Sequence, residues 1–108
     1  MKEELLQSYQ INVKYPDVSG FEHLETLQIR DQLALIEIEL SEDQKKQLSL
    51  ADQLLIKNSQ KFYAELSTLI DLKKKRESEN ISPTSWWWYV DVLANLPLLF
   101  PASESVIH

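Results

Sequence analysis

The hydrophobic positions of the chain repeat mainly at helical spacing, and the clearest stripe lies in residues 21–39. Its members are separated by four, three and four residues, which places them on one side of a helix: Ile29, Leu33, Ile36 and Leu40. A strand at "ALIEIEL" is the competing interpretation, because apolar and acidic residues alternate there. We favour a helix over 21–39, since the stripe begins well before that stretch.

A second and longer helix is predicted over residues 42–77. Ser41 with Gln44 three residues later matches the capping-box pattern that starts a helix. Nothing in the following residues breaks a helix, and its apolar positions recur at spacings of three, four or seven: Leu48, Ala51, Leu55, Phe62, Leu66 and Leu69. Such a helix would be about 50 Å long, which exceeds the width of a compact domain of this size. It must therefore kink, project, or pack against another chain.

The two ends of the chain have different patterns. Residues 9–15 alternate apolar and polar positions, which is strand periodicity. A lone strand has no ladder partner, so we expect residues 1–20 to form an extended arm, with one helical turn over residues 3–9 as the alternative. Ser82 and Pro83 are suited to the start of a third helix over about 83–95. Pro97 and Pro101 argue against regular helix in the apolar tail, residues 96–108.

These elements predict one all-α domain spanning residues 1–108. The link between the first two helices is very short, which favours an antiparallel helical hairpin of 21–39 and 42–77, with the helix at 83–95 folded back on it. The arm (1–20) and the tail (96–108) flank a helical core (21–95). A single glycine in 108 residues supports this interpretation, because hairpin-rich sheets use glycines in their turns.

The run "WWWY" at Trp86–Tyr89 carries more aromatic surface than one core face can take. On an α-helix, four successive residues span about 300° of the circumference, whereas a core-facing stripe covers about 100°. The most apolar face is assigned inward: Trp86, Tyr89, Val90 and Leu93. Trp87 is then the ring least able to bury itself. It either lies under the chain's own termini or forms a partner surface.

Composition and charge narrow the possible partners. The formal net charge of −6 disfavours nucleic acid and anionic membrane as partners, because both are negatively charged. No run approaches the length of a membrane span. The chain has no cysteine, which excludes disulfides and thiolate chemistry and fits a cytoplasmic location. The cations of "KKKR" at 73–76 are expected to be solvated and to complement a helix C-terminus.

We identify no catalytic residue, metal site or cofactor motif in the sequence. There are two histidines, and His23 lies beside Glu22 and Glu25, where we expect a solvated surface group. One glycine cannot form a phosphate-binding loop. The acids in residues 37–43 lie at a predicted turn, where we expect them to be exposed and to cap the following helix. The protein is therefore predicted not to be an enzyme.

The leading hypothesis is a cytoplasmic adaptor or assembly protein that binds another protein. Aromatic residues dominate interface hot spots, and apolar tail residues need a surface to cover. The expected contact residues are Trp87, Trp88, Asp91, Leu98, Leu99 and Phe100.

Two alternatives stay open. The long helix could pair with its twin in a homodimer through the apolar stripe: Leu48, Leu55, Phe62, Leu66 and Leu69. A small molecule could instead bind in a pocket lined by the tryptophans, with Asp91 or Tyr89 as the polar group.

Overall fold

The computed structural model describes residues 2–99, with side chains to Asn95, and all regular secondary structure in that range is helical. Six α-helices follow one another: α1 (Lys2–Lys14), α2 (Gly20–Ile36), α3 (Glu42–Lys57), α4 (Ser59–Leu66), α5 (Leu72–Glu79) and α6 (Val90–Leu99). Short 3₁₀ segments lie at Glu37–Glu39 and Trp86–Tyr89. The all-α fold class is thus confirmed.

The predicted N-terminal arm is wrong, because residues 2–14 form α1. The residues that α1 buries are Leu6, Tyr9 and Val13, which are three and four positions apart and so form a helical stripe. Ile11, which completes the apparent alternation with Tyr9 and Val13, is 52% exposed. The strand pattern therefore arose by combining residues from opposite faces of one helix.

The predicted start of the second element at Glu42 is confirmed at the level of hydrogen bonds, and α2 begins at Gly20, one residue before its predicted start. The Ser19 hydroxyl accepts from the Glu22 amide and caps α2. At the start of α3 the capping box is complete: the Gln44 amide donates to the Ser41 hydroxyl at 3.1 Å, and the Ser41 amide donates to the Gln44 side chain at 2.9 Å.

The predicted 42–77 helix is wrong as a continuous element and is replaced by α3, α4 and α5. Asn58 leaves α-helical geometry, and its side-chain amide donates to the Val13 carbonyl oxygen at the end of α1. After α4 the Thr68 hydroxyl donates to the Glu65 carbonyl oxygen, a local bond that competes with helix continuation. Asp71 then caps α5 by accepting from the Lys74 amide. These breaks let the chain turn within a compact fold.

The C-terminal helix is shifted from its predicted range of 83–95. The segment before Val90 is a 3₁₀ turn, and the α6 backbone continues through Pro97 to Leu99. Proline lacks the N–H that an interior helical position donates, so α6 forms one backbone hydrogen bond fewer at Pro97. The rest of the predicted tail, from Phe100 onward, lies outside the described residues.

The predicted hairpin is not confirmed, because α1 packs against both α2 and α3. Asp52 of α3 joins these three helices: it accepts from the Tyr9 hydroxyl at 2.6 Å and from two Arg30 nitrogens at 2.9 and 3.0 Å. On the other side α4 packs against α2 and α6. Gly20 permits close approach there, since a Cβ at this position would lie 2.6 Å from the Glu65 carbonyl oxygen.

Candidate functional site

Trp87 and Trp88, two of the candidate contact residues from the sequence, lie in the core. Trp87 and Trp88 are 3% and 4% exposed. Both indole N–H groups donate to the same carboxylate oxygen of Asp31 in α2, at 2.8 and 2.9 Å. Trp87, the ring that α-helical geometry made hardest to bury, is therefore buried. The α-helical wheel does not apply to a 3₁₀ turn, and Asp31 supplies the acceptor that a buried indole needs.

Arg30 completes this cluster from the α2 side. Its guanidinium lies 4.4 Å from the Trp87 ring centroid and is held by Asp52. Burial works against its charge, but the hydrogen bonds and charge of Asp52 outweigh burial and raise the pKa of Arg30. Burial and the Asp52 carboxylate likewise raise the pKa of Tyr9, which remains a neutral donor. Arg30, Asp52 and the rings thus form a structural network inside the fold.

Asp91 is also engaged within the chain. The Arg76 guanidinium binds its two carboxylate oxygens at 2.6 and 3.0 Å and also donates to the Trp88 carbonyl oxygen at 3.0 Å. The bond to Asp91 raises the pKa of Arg76. Arg76 also lies 4.4 Å from the Tyr89 ring centroid. Arg76, which was expected to be solvated with the other cations of residues 73–76, therefore binds α5 to the aromatic segment Trp86–Tyr89.

The remaining predicted contact residues fall into two groups. The proposed self-association stripe is mostly occupied within the chain, since Leu48, Leu55, Phe62 and Leu66 are buried in the core and Leu69 is half-buried. The tail group of Leu98, Leu99 and Phe100 lies outside the described side chains.

His23 is buried rather than solvated, at 1% exposure, which corrects the sequence-based expectation. Its ring packs against Phe62 with centroids 4.0 Å apart, and its Nε2 has no hydrogen-bond partner among the described residues. Burial lowers the pKa of His23 below its usual value, against smaller opposing effects from a hydrogen bond with the Pro16 backbone and then from nearby acids. The ring is therefore held neutral in the folded state.

Exposed apolar side chains gather instead where α2 ends. Leu35 and Ile38 are 81% and 86% exposed, the highest values among the large exposed hydrophobic residues. The chain tightens into the 3₁₀ segment after Ile36 and then turns inward, so that Leu40 is buried and Ser41 caps α3. This short turn leaves Leu35 and Ile38 pointing away from the core.

A groove opens beside these residues, between the start of α1 and the end of α2. It has a volume of about 360 Å³ and is lined by Lys2, Glu3, Leu5, Ile36 and Glu39. The Lys2 ammonium donates to the Glu39 carbonyl oxygen at 3.3 Å, which fastens α1 to this turn. We call Leu35–Glu39 together with this groove the acidic–apolar end.

The charge around the acidic–apolar end is predominantly negative. Residues 35–43 contain four carboxylates and no lysine or arginine. The Glu37 carboxylate is 3.7 Å from an Arg30 nitrogen, but Arg30 is already paired at shorter range with Asp52. Within residues 2–95 no side chain forms a hydrogen bond or ion pair with the Glu39 carboxylate. These acids stand out in the sequence, but their proximity to the exposed Leu35 and Ile38 becomes evident only in the fold.

Within the described part of the chain, no group of three or more His, Asp or Glu side chains is placed to hold a metal ion. Among residues 2–99 no helix is both long enough and apolar enough to cross a membrane. Comparison with models of known protein families, with curated proteins and with solved structures gave no match.

Proposed function

We propose that the protein is a non-catalytic adaptor that binds another protein through the acidic–apolar end. The observation that supports this most is the exposure of Leu35 and Ile38 side by side. They are three residues apart on a helical segment, a spacing that puts two side chains on the same side. An exposed apolar cluster with a polar rim is typical of a protein interaction site.

The proposal keeps the binding role expected from the sequence but moves the contact residues. Trp87, Trp88 and Asp91 hold the fold together through Asp31 and Arg76, so they are not offered to a partner. Leu35 and Ile38 have no comparable role in the core.

The test is affinity capture from native cell extract, with bound proteins identified by mass spectrometry. Wild type is compared with Leu35→Ser/Ile38→Ser, and the matched control is Leu50→Ser/Ile56→Ser. The control also removes two exposed apolar side chains, which are 58% and 42% exposed on α3. Circular dichroism checks that each variant is folded.

A protein captured by wild type and by the α3 control, but lost with Leu35→Ser/Ile38→Ser, is the expected result. Equal capture by all three proteins would refute the assignment of the site. Loss with the α3 control alone would move the interface to α3.

A further inference from the structure

We propose that the segment bound at the acidic–apolar end is a cationic amphipathic helix of the partner protein, with an apolar face that covers Leu35 and Ile38 and basic side chains that reach Glu37 and Glu39. This inference rests on the proposed function and adds the chemistry of the partner.

The apolar part of the acidic–apolar end is not flat, and its shape is suited to receiving projecting side chains of a partner. Leu35 and Ile38 project outward, and Leu5 and Ile36 lie in the wall of the adjacent groove. A groove of about 360 Å³ can take a small number of side chains. An amphipathic helix presents apolar groups at spacings of three and four residues and recurs as an occupant of such grooves.

The carboxylates determine the sign of the partner's charge. Glu37 is 51% exposed and has a weak internal partner, while the Glu39 carboxylate has no partner within the described side chains. Lys2 brings one positive charge to the groove, but Glu3 and Glu39 bring two negative charges to the same lining. Lysine or arginine on the incoming helix would therefore find two available carboxylates at the edge of the apolar contact.

The same charges disfavour other occupants. A second copy of this chain would bring its own Glu37 and Glu39 against the first set, and like charges placed together weaken an interface. Phosphate backbones and anionic lipid would be repelled for the same reason. A cationic segment is attracted from a distance, which raises its association rate.

The experiment uses three synthetic helical peptides of about 18 residues, or five turns, with one leucine face and a polar face of lysine, glutamine or glutamate. Each carries a fluorophore, and binding to the full chain is followed by fluorescence anisotropy. The charge variant is Glu37→Gln/Glu39→Gln. Its matched control is Glu25→Gln/Glu77→Gln, which neutralises two exposed acids elsewhere.

We expect the lysine peptide to bind about threefold to tenfold more tightly than the glutamine peptide, and the glutamate peptide to bind most weakly. Glu37→Gln/Glu39→Gln should remove that preference, whereas Glu25→Gln/Glu77→Gln should retain most of it. Leu35→Ser/Ile38→Ser should weaken the lysine peptide by at least about tenfold.

If Glu37→Gln/Glu39→Gln and Glu25→Gln/Glu77→Gln reduce the preference for the lysine peptide equally, attraction to the net charge of the protein explains the binding. That result would overturn the proposal. Failure of the lysine peptide to bind would overturn it as well. If all three peptides bind alike and lose affinity with Leu35→Ser/Ile38→Ser, the apolar site stands and the cationic partner is wrong. If the peptide result is positive but extract capture is unaffected by that variant, the proposed function fails instead.

Discussion

Replacement of Asp31 by alanine tests the single acceptor that the two buried tryptophans share. One Asp31 oxygen accepts from both Trp87 and Trp88, and these rings are almost fully buried. Removing the carboxylate leaves two buried indole N–H groups without their acceptor. Asp31→Asn keeps an oxygen of the same shape but removes the negative charge.

The expected loss in the free energy of unfolding follows from the cost of leaving the two indole N–H groups without a hydrogen bond. A buried donor without a partner costs about 1–3 kcal/mol, so two of them bound the loss at about 2–6 kcal/mol. Asp31 itself is half-buried, so water can replace part of its role, and we expect about 2–4 kcal/mol for Asp31→Ala. Asp31→Asn should cost about 1–2 kcal/mol, because bonds to a charged acceptor are stronger than neutral ones.

The assay is urea unfolding followed by tryptophan fluorescence and far-ultraviolet circular dichroism. Asp43→Ala is the control, since Asp43 is exposed and accepts from Gln47 at the surface, and its cost should stay within about 0.5 kcal/mol. A wild-type free energy of unfolding for Asp31→Ala would refute the role assigned to the shared carboxylate. Equal losses for alanine and asparagine would instead show that its negative charge is what matters.

Three other predictions concern stability. The pKa of His23 is lowered in the folded state, so the unfolded chain takes up the proton first as pH falls below about 6.5. The free energy of unfolding should therefore fall more steeply with falling pH for wild type than for His23→Leu. Parallel pH profiles of the two proteins in urea unfolding would contradict this. Gly20→Ala should lower the melting temperature despite the higher helix propensity of alanine, because its Cβ would clash with the Glu65 carbonyl oxygen. An unchanged or raised melting temperature in calorimetry would refute the close approach of α2 to α4 at Gly20. Asp91→Ala should cost about 1–3 kcal/mol in urea unfolding by removing the carboxylate that Arg76 grips, and a neutral effect would reopen Asp91 as a free surface group.

Local signals in the sequence predicted part of this fold. The capping-box pattern of Ser41 and Gln44 marked one helix start, and the structure forms both of its hydrogen bonds. The break at Asn58 had no such signal, because it depends on the Val13 carbonyl oxygen of a distant helix. Asp71 is a residue type that caps helices, so the sequence did contain a signal for the start of α5. The regular spacing of the apolar residues before it nevertheless favoured one continuous helix.

The inner face of α2 explains why the tryptophans were misplaced. Its buried residues include His23, Thr26 and Arg30, which are polar and which a hydrophobic pattern assigns to the surface. Burial of the indoles depends on Asp31, more than 50 residues away along the chain. The spacing of apolar residues within one helix carries no information on such a distant partner. The candidate site was missed for a related reason, since "ALIEIEL" was judged as secondary structure and not as an exposed turn.

The claim that the acidic–apolar end is the binding surface is tested most directly by nuclear magnetic resonance on ¹⁵N-labelled full chain titrated with the lysine peptide. The account predicts amide shift changes concentrated at residues 35–39 and at Lys2–Leu5, with the indole N–H signals of Trp87 and Trp88 unchanged. Changes centred on those indole signals, or spread evenly over the acidic surface, would contradict it.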